Sequence, residues 1–157
     1  MHRTRNDLTL RTRTAMVELL NARLADALDL AAQAKQAHWN VRGANFIALH
    51  ELFDKLHAAA GEAVDEIAER AVALGGIARG TVQTVAKSTT LRAYPESISD
   101  SRAHVEALAN AFAAFGKAVR KATDVADAAG DADTADLFTG ISRDADKYLW
   151  MLEAHVS

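Results

Sequence analysis

Five side chains in the first half of the sequence, His38, His50, Asp54, Asp65 and Glu69, have the types and spacing that bind a metal ion. His50 and Asp54 stand four apart, as do Asp65 and Glu69, so on a helix each pair shares one face. Imidazole plus carboxylate without thiolate suits iron, zinc or manganese rather than copper(I). The chain has no cysteine, which excludes a thiolate site and a disulfide framework alike. Taken singly, each feature has an ordinary explanation. Asp65–Glu69 reads as a solvated helix face, His50–Asp54 as a surface hydrogen bond, and His38 as a packed core histidine.

Spacing makes the set informative. His50 and Asp65 are 15 residues apart, which on one helix is about 22 Å at 1.5 Å per residue. Metal–ligand bonds are about 2 Å long, so the two pairs cannot hold one ion within one chain. Either there are two poor sites, or the helix meets its own copy antiparallel across a two-fold axis. The second arrangement sets His50 and Asp54 opposite Asp65 and Glu69 of the other copy and generates two equivalent sites. The spacing therefore asks for a site between subunits.

The elements that must position these residues read as long helices. Thr9 to Asn40 contains neither glycine nor proline, and Met16, Leu19, Leu20, Leu24, Ala27 and Leu28 fall at helical spacing. Gly43 stands where a left-handed residue ending that helix is expected. Phe46, Leu49, Leu52, Phe53, Leu56, Ala60, Val64, Ile67 and Leu74 mark a second helix that stops at Gly75-Gly76. Residues 77–100 hold Gly80 and Pro95, with a short helix expected at about Thr81–Lys87. This connection is too long for a tight turn and implies a crossover. A third helix, capped by Asp100 or Ser101, carries Val105, Leu108, Ala111, Phe112, Phe115 and Val119. The acidic stretch Asp124–Asp136 interrupts the pattern, and a fourth helix runs from about Thr134 to Ala154. Two helix pairs joined by one crossover make an all-α, ferritin-like four-helix bundle the natural topology.

At 157 residues, half apolar, a quarter charged and with net charge −3, the chain has the composition of one globular domain spanning 1–157, with a short N-terminal tail over 1–8. Alanine-rich, proline-poor sequence favours uninterrupted helices. No apolar run reaches the roughly 18 residues of a membrane span, and the N-terminus has no apolar signal core, so a cytoplasmic protein is expected.

The segment Lys35-Gln36-Ala37-His38-Trp39-Asn40-Val41-Arg42-Gly43-Ala44-Asn45-Phe46, followed by Leu49-His50-Glu51 and Phe53-Asp54, resembles the signature of the Dps family, the mini-ferritins. The likeness continues through Asp65, Glu69-Arg70-Ala71 and Leu74-Gly75-Gly76. It resumes in Ser142-Arg143-Asp144 and Asp146-Lys147-Tyr148-Leu149-Trp150. It covers nearly the whole chain from about Thr4. The resemblance implies a hollow homododecamer that oxidises Fe(II), usually with hydrogen peroxide, and stores the Fe(III) mineral. It further implies that His38, His50 and Asp54 of one subunit meet Asp65 and Glu69 of another at the ferroxidase site. Trp39 is similar to the family's tryptophan beside the iron, credited with absorbing stray oxidising equivalents; packing is its other reading.

Asp124, Asp127, Asp131, Asp133 and Asp136 form a second acidic cluster, ordinary for a solvated turn. The resemblance implies three-fold pores in this region, for which Asp127, Asp131 and Asp136 are the candidates, in a linker somewhat longer than the family's. His2, His57, His104 and His155 are expected at the surface, without a role. DNA is a possible partner: Arg3, Arg5, Arg11 and Arg13 near the N-terminus offer phosphate contacts that twelve copies would multiply. There is no lysine before Lys35 and no basic C-terminal extension, and twelve chains of charge −3 carry about −36. Two other readings stand beside the iron-oxidising store. One is a nucleoid protein that compacts DNA with secondary iron chemistry. The other is a bundle whose zinc or manganese only stabilises a dimer.

Overall fold

A computed structural model describes residues 1–156. The described residues form five helices: α1 (Leu10–Asn40), α2 (Phe46–Ala73), α3 (Val82–Ser88), α4 (Ser101–Ala128) and α5 (Ala132–Glu153). Among the described residues there is no β-strand, only an isolated bridge between Arg42 and Asp100. The four long helices form the bundle. α1 packs on α2 and α4 on α5 as two hairpins, and α1–α4 and α2–α5 contacts join them. The short α3 lies in the crossover and packs on α1. This is the ferritin-like arrangement that two hairpins and one crossover imply. No described helix is long and apolar enough to cross a membrane.

The stripes seen in the sequence are the buried faces. Leu20, Leu24 and Leu30 of α1, Phe53, Leu56 and Ile67 of α2, Leu108, Phe112 and Phe115 of α4, and Phe138, Ile141 and Leu152 of α5 meet in one core. Each such side chain contributes about 1.5–3 kcal/mol on burial. Interleaved alanines, among them Ala25, Ala27, Ala34 and Ala37, are fully buried and allow close helix approach. Side-chain caps start three of the helices: Thr9 for α1, Asp100 for α4 and Asp131 for α5.

Two boundaries differ from the sequence expectation. α1 does not end on a left-handed residue. It stops at Asn40 because Val41 turns extended, at φ −62° and ψ 139°, and buries its side chain in the core. Gly43, at φ 118°, serves the following turn instead, where Phe46 N–H bonds to its carbonyl at 3.1 Å. The acidic stretch is also mostly helical. α4 continues through Asp124 and Asp127 because Ala122 and Ala126 extend its buried stripe, and α5 starts at Ala132 because Asp131 caps it.

Buried polar groups on one side of α1 fasten the crossover. The Asn21 amide donates to Ile77 O at 3.0 Å and accepts from Arg79 N at 2.8 Å. Asp26, fully buried, accepts from the Thr90 amide and hydroxyl at 2.7 and 3.0 Å. Asp29 accepts from Thr89 Oγ1 at 2.7 Å, and Gln33 donates to Arg92 O at 3.0 Å. The crossover is thereby tied down by α1 rather than by apolar burial of α3, which buries no residue.

The first eight residues are irregular, and their start is docked: His2 N–H bonds to Gly75 O at 2.6 Å. Gly75 has φ 86°, and a Cβ there would come within 2.7 Å of His2 O. A Cβ on Gly76 would lie 2.5 Å from the Val17 methyls. The Gly75-Gly76 pair thus ends α2 and also lets other backbone and α1 approach it.

Candidate metal centre

The tight corner over residues 41–45 brings the last turn of α1 against the first turns of α2, and with it His38 against His50. Their rings stack with centroids 3.7 Å apart and planes 21° from parallel. His38 Nδ1 bonds to His50 O and His50 Nδ1 to His38 O, each at 2.8 Å. Each Nδ1–H therefore donates to a carbonyl, which fixes the tautomer and leaves each Nε2 with a lone pair. Such backbone anchoring of one ring nitrogen is how ligating histidines are oriented. Phe46 flanks His50, with ring centroids 5.0 Å apart.

Asp54 lies one turn beyond His50 on α2, exposed, and its carboxylate is bonded to the ammonium of Lys35. That hydrogen bond holds the Asp54 carboxyl below its ordinary range. Slight desolvation opposes it, and the charges of Lys35, His38 and His57 reinforce it. Lys35 precedes His38 by three residues, so the two share a face of α1.

Asp65 and Glu69 are exposed farther along α2. Among the described residues of one chain, no three His, Asp or Glu side chains gather closely enough to hold a metal ion. The chain assembles the His38–His50 pair with Asp54 nearby, and leaves Asp65 and Glu69 apart. Trp39 is 67 % exposed, so packing within the subunit does not account for it.

The acidic cluster divides. Asp127 and Asp136 are exposed, whereas Asp131 is 2 % exposed. Its carboxylate caps α5 through Thr134 N at 3.1 Å, accepts from Thr134 Oγ1 at 2.6 Å, and pairs with Arg70 at 2.7 Å. Arg70 also donates to Thr134 Oγ1 at 3.0 Å. The buried pair ties α2, at the residue after Glu69, to the start of α5. An open groove of about 450 Å³ runs between them, lined by Glu66, Glu69, Arg70, Asp133 and Asp136 among others.

The expectation that His104 lies at the surface is corrected: it is 1 % exposed. Its spacing held the signal, since His104 falls in line with Leu108, Ala111, Phe112 and Phe115 on the buried stripe of α4. His57 is half-buried and bonds through Nδ1 to Ala31 O at 2.9 Å. Lys35, absent from the sequence-derived site, was also legible as the residue one turn before His38.

The ferritin-like domain family matches residues 17–157. The chain is 47% identical over 155 residues to the "DNA protection during starvation protein" of Agrobacterium fabrum, covering 99% of this chain and 96% of that one. Among solved structures, DpsC from Streptomyces coelicolor is similar with a TM-score of 0.94 and 31% identity, covering 99% of this chain and 91% of that one. A Dps from Microbacterium arborescens, in its high-iron form, has a TM-score of 0.88 and 34% identity, covering 94% of this chain and 96% of that one. With the bundle, the crossover and the His-Trp-Asn corner in place, these similarities establish that the chain belongs to the Dps family of ferritin-like proteins.

Proposed function

We propose that this protein is a ferroxidase and iron store. It oxidises Fe(II), with hydrogen peroxide as the preferred oxidant, and keeps the ferric product inside a cage of twelve subunits. The observation that carries the reading is the reciprocal His38–His50 clamp, which presents two imidazoles with Nε2 free beside Asp54. Asp65 and Glu69 of a second copy complete the ligand set across a two-fold axis. The relative from Microbacterium arborescens, described in a high-iron form, supports iron as the substrate.

Neutral imidazoles and ionised carboxylates receive Fe(II), and carboxylate oxygens favour the ferric state. Two ferrous ions give two electrons to one peroxide, whose O–O bond breaks. With two waters, two ferric oxyhydroxide units form and four protons leave. Consuming both reactants of hydroxyl-radical chemistry protects nearby DNA, in keeping with the name of the Agrobacterium fabrum relative. Trp39, exposed beside His38, is suited to intercept one-electron oxidants that escape. Exposed Asp127 and Asp136 of three copies would focus cations toward the interior. Asp131 contributes by fixing the turn that carries them.

Subunit mixing tests the shared site. His50→Ala and Asp65→Ala are each inactive for ferrous oxidation as pure assemblies. Unfolded together and co-assembled, they regain about a quarter of the sites, because half the dimers are mixed and one of their two sites is intact. Ferric absorbance after Fe(II) and peroxide reads the result. Full activity in either pure variant, or no recovery on mixing, would overturn the assignment.

A second reading, direct DNA binding, is favoured by exposed Arg3, Arg5 and Arg11 at the chain's start. A gel shift at two salt concentrations tests it, since phosphate contacts weaken steeply with salt.

A further inference from the structure

Two titratable side chains outside the metal centre are joined in a way the iron reading does not use. Tyr94, half-buried in the crossover, has its hydroxyl 2.5 Å from Nδ1 of His104 on α4. The rings lie 20° from parallel with centroids 6.0 Å apart. Burial pushes the phenol's pKa up. Burial also pushes the His104 imidazole down, with the Asn40 carbonyl and the Asp100 charge opposing in part. At neutral pH the phenol O–H therefore donates and the neutral imidazole accepts, which puts the ring's own proton on Nε2.

Nε2 is buried and makes no hydrogen bond of good geometry. A hydrogen bond between crossover and α4 could be made by many polar pairs, and this one joins a phenol to a titratable base. A base buried against a phenol, and out of reach of buffer, serves a different end. A phenol that loses an electron becomes a strong acid, and a hydrogen-bonded base takes the proton in the same event.

The position also fits. Tyr94 and Trp39 line one groove, together with Lys35 and His57. His104 lies close enough to Asn40, the residue after Trp39, for that carbonyl to raise its basicity. The pair thus sits against the end of α1 that carries His38 and Trp39.

We propose that Tyr94 and His104 form a proton-coupled redox pair that accepts oxidising equivalents from Trp39. The source of those equivalents rests on the iron chemistry proposed above. A hydroxyl radical takes one electron from Trp39 and becomes hydroxide, leaving the indole radical cation. Tyr94 then reduces Trp39 by one electron. Its O–H bond breaks, an N–H bond forms at His104 Nδ1, and a neutral tyrosyl radical faces an imidazolium. Charge and atoms balance, and the oxidising equivalent moves from an exposed indole to a half-buried phenol.

The test uses the assembled, metal-free protein, oxidised by a laser flash with ruthenium tris-bipyridyl and persulfate, then frozen for high-field electron paramagnetic resonance. Only two tyrosines, Tyr94 and Tyr148, can give a tyrosyl signal. The expected result is a tyrosyl radical in wild type and in Tyr148→Phe, with the g-value lowered by a hydrogen bond and an exchangeable proton coupling. Tyr94→Phe leaves a tryptophan radical alone, and His104→Gln loses the lowered g-value. A wild-type radical on tryptophan only, or a tyrosyl signal lost in Tyr148→Phe, overturns the pair. That second variant decides the matter even if Tyr94→Phe does not fold. Repeating the experiment with Fe(II) and excess peroxide tests the source. If iron is oxidised without the tyrosyl signal, the link to the metal centre falls. If iron is not oxidised at all, the ferroxidase reading falls and the metal-free result stands by itself.

Discussion

Lys35 of α1 bonds its ammonium to the carboxylate of Asp54 on α2, so a proposed metal ligand already holds a cation. An incoming metal ion must displace that ammonium or share the carboxylate with it, and the two positive charges repel. Replacing Lys35 by Gln should tighten binding of Co(II), a redox-silent probe, a few-fold, with the difference shrinking at high salt because the pair is exposed. Lys35→Arg should retain the wild-type affinity. Calorimetric titration at two ionic strengths measures it, and equal affinities for Lys35→Gln and wild type would remove Asp54 from the ligand set or Lys35 from its control.

Arg70 and Asp131 form a largely buried ion pair at the junction of α2 and α5, with side chains 15 % and 2 % exposed. Removing one partner strands the other and deletes the α5 cap. Asp131→Ala should therefore cost about 3 kcal/mol in a denaturant titration. Asp133, also within reach of Arg70 at 3.6 Å but 83 % exposed, should cost under about 0.5 kcal/mol when changed to Ala. Comparable losses from the two variants would contradict the burial argument.

His104 predicts a pH dependence of stability. Its folded pKa lies below the ordinary imidazole value of about 6.5, because burial disfavours the cation. The unfolded chain therefore binds the proton more readily. Stability is full above about pH 6.5 and falls as pH drops through the folded pKa. The urea midpoint of wild type should decline more between pH 7.5 and 5.5 than that of His104→Gln. Parallel declines would count against it.

Asp26 supplies both acceptor bonds to Thr90 and pairs with Arg23 at 2.8 Å. Asp26→Ala removes a fully buried carboxylate together with its bonds to exposed Thr90 and its pairing with Arg23, and should cost about 2–3 kcal/mol. The loss should be local first: hydrogen exchange at the Thr90 amide should quicken while amides in the centre of α4 keep their protection. Uniform acceleration across all helices would show instead that the crossover and bundle open together.

The helices were legible because apolar spacing reports directly on a buried face. The stripe through Phe53, Leu56, Ala60 and Ile67 is the core face of α2, and Gly75-Gly76 ends that helix. The ends were less legible. Val41 leaves helical geometry while its side chain stays in the core, and the apolar spacing of α1 does not record that change. His104 stands in register with the apolar stripe of α4, and register rather than polarity decides its burial. Asp131 looked like one more acid in a solvated run, and only its partner Arg70, 61 positions away, makes it a buried anchor.

Apolar spacing and residue type are enough to give the four amphipathic helices, the crossover between two hairpins and the side chains available as ligands. They also put Asp65 and Glu69 too far along α2 to join His50, since helical rise is fixed by backbone geometry. Helix packing sets which nitrogens of His38 and His50 are free, pairs Lys35 with Asp54, and turns Asp131 inward to Arg70. Those outcomes depend on where two helices cross and which polar groups lose water, and such contacts between remote residues leave no periodic mark on the chain.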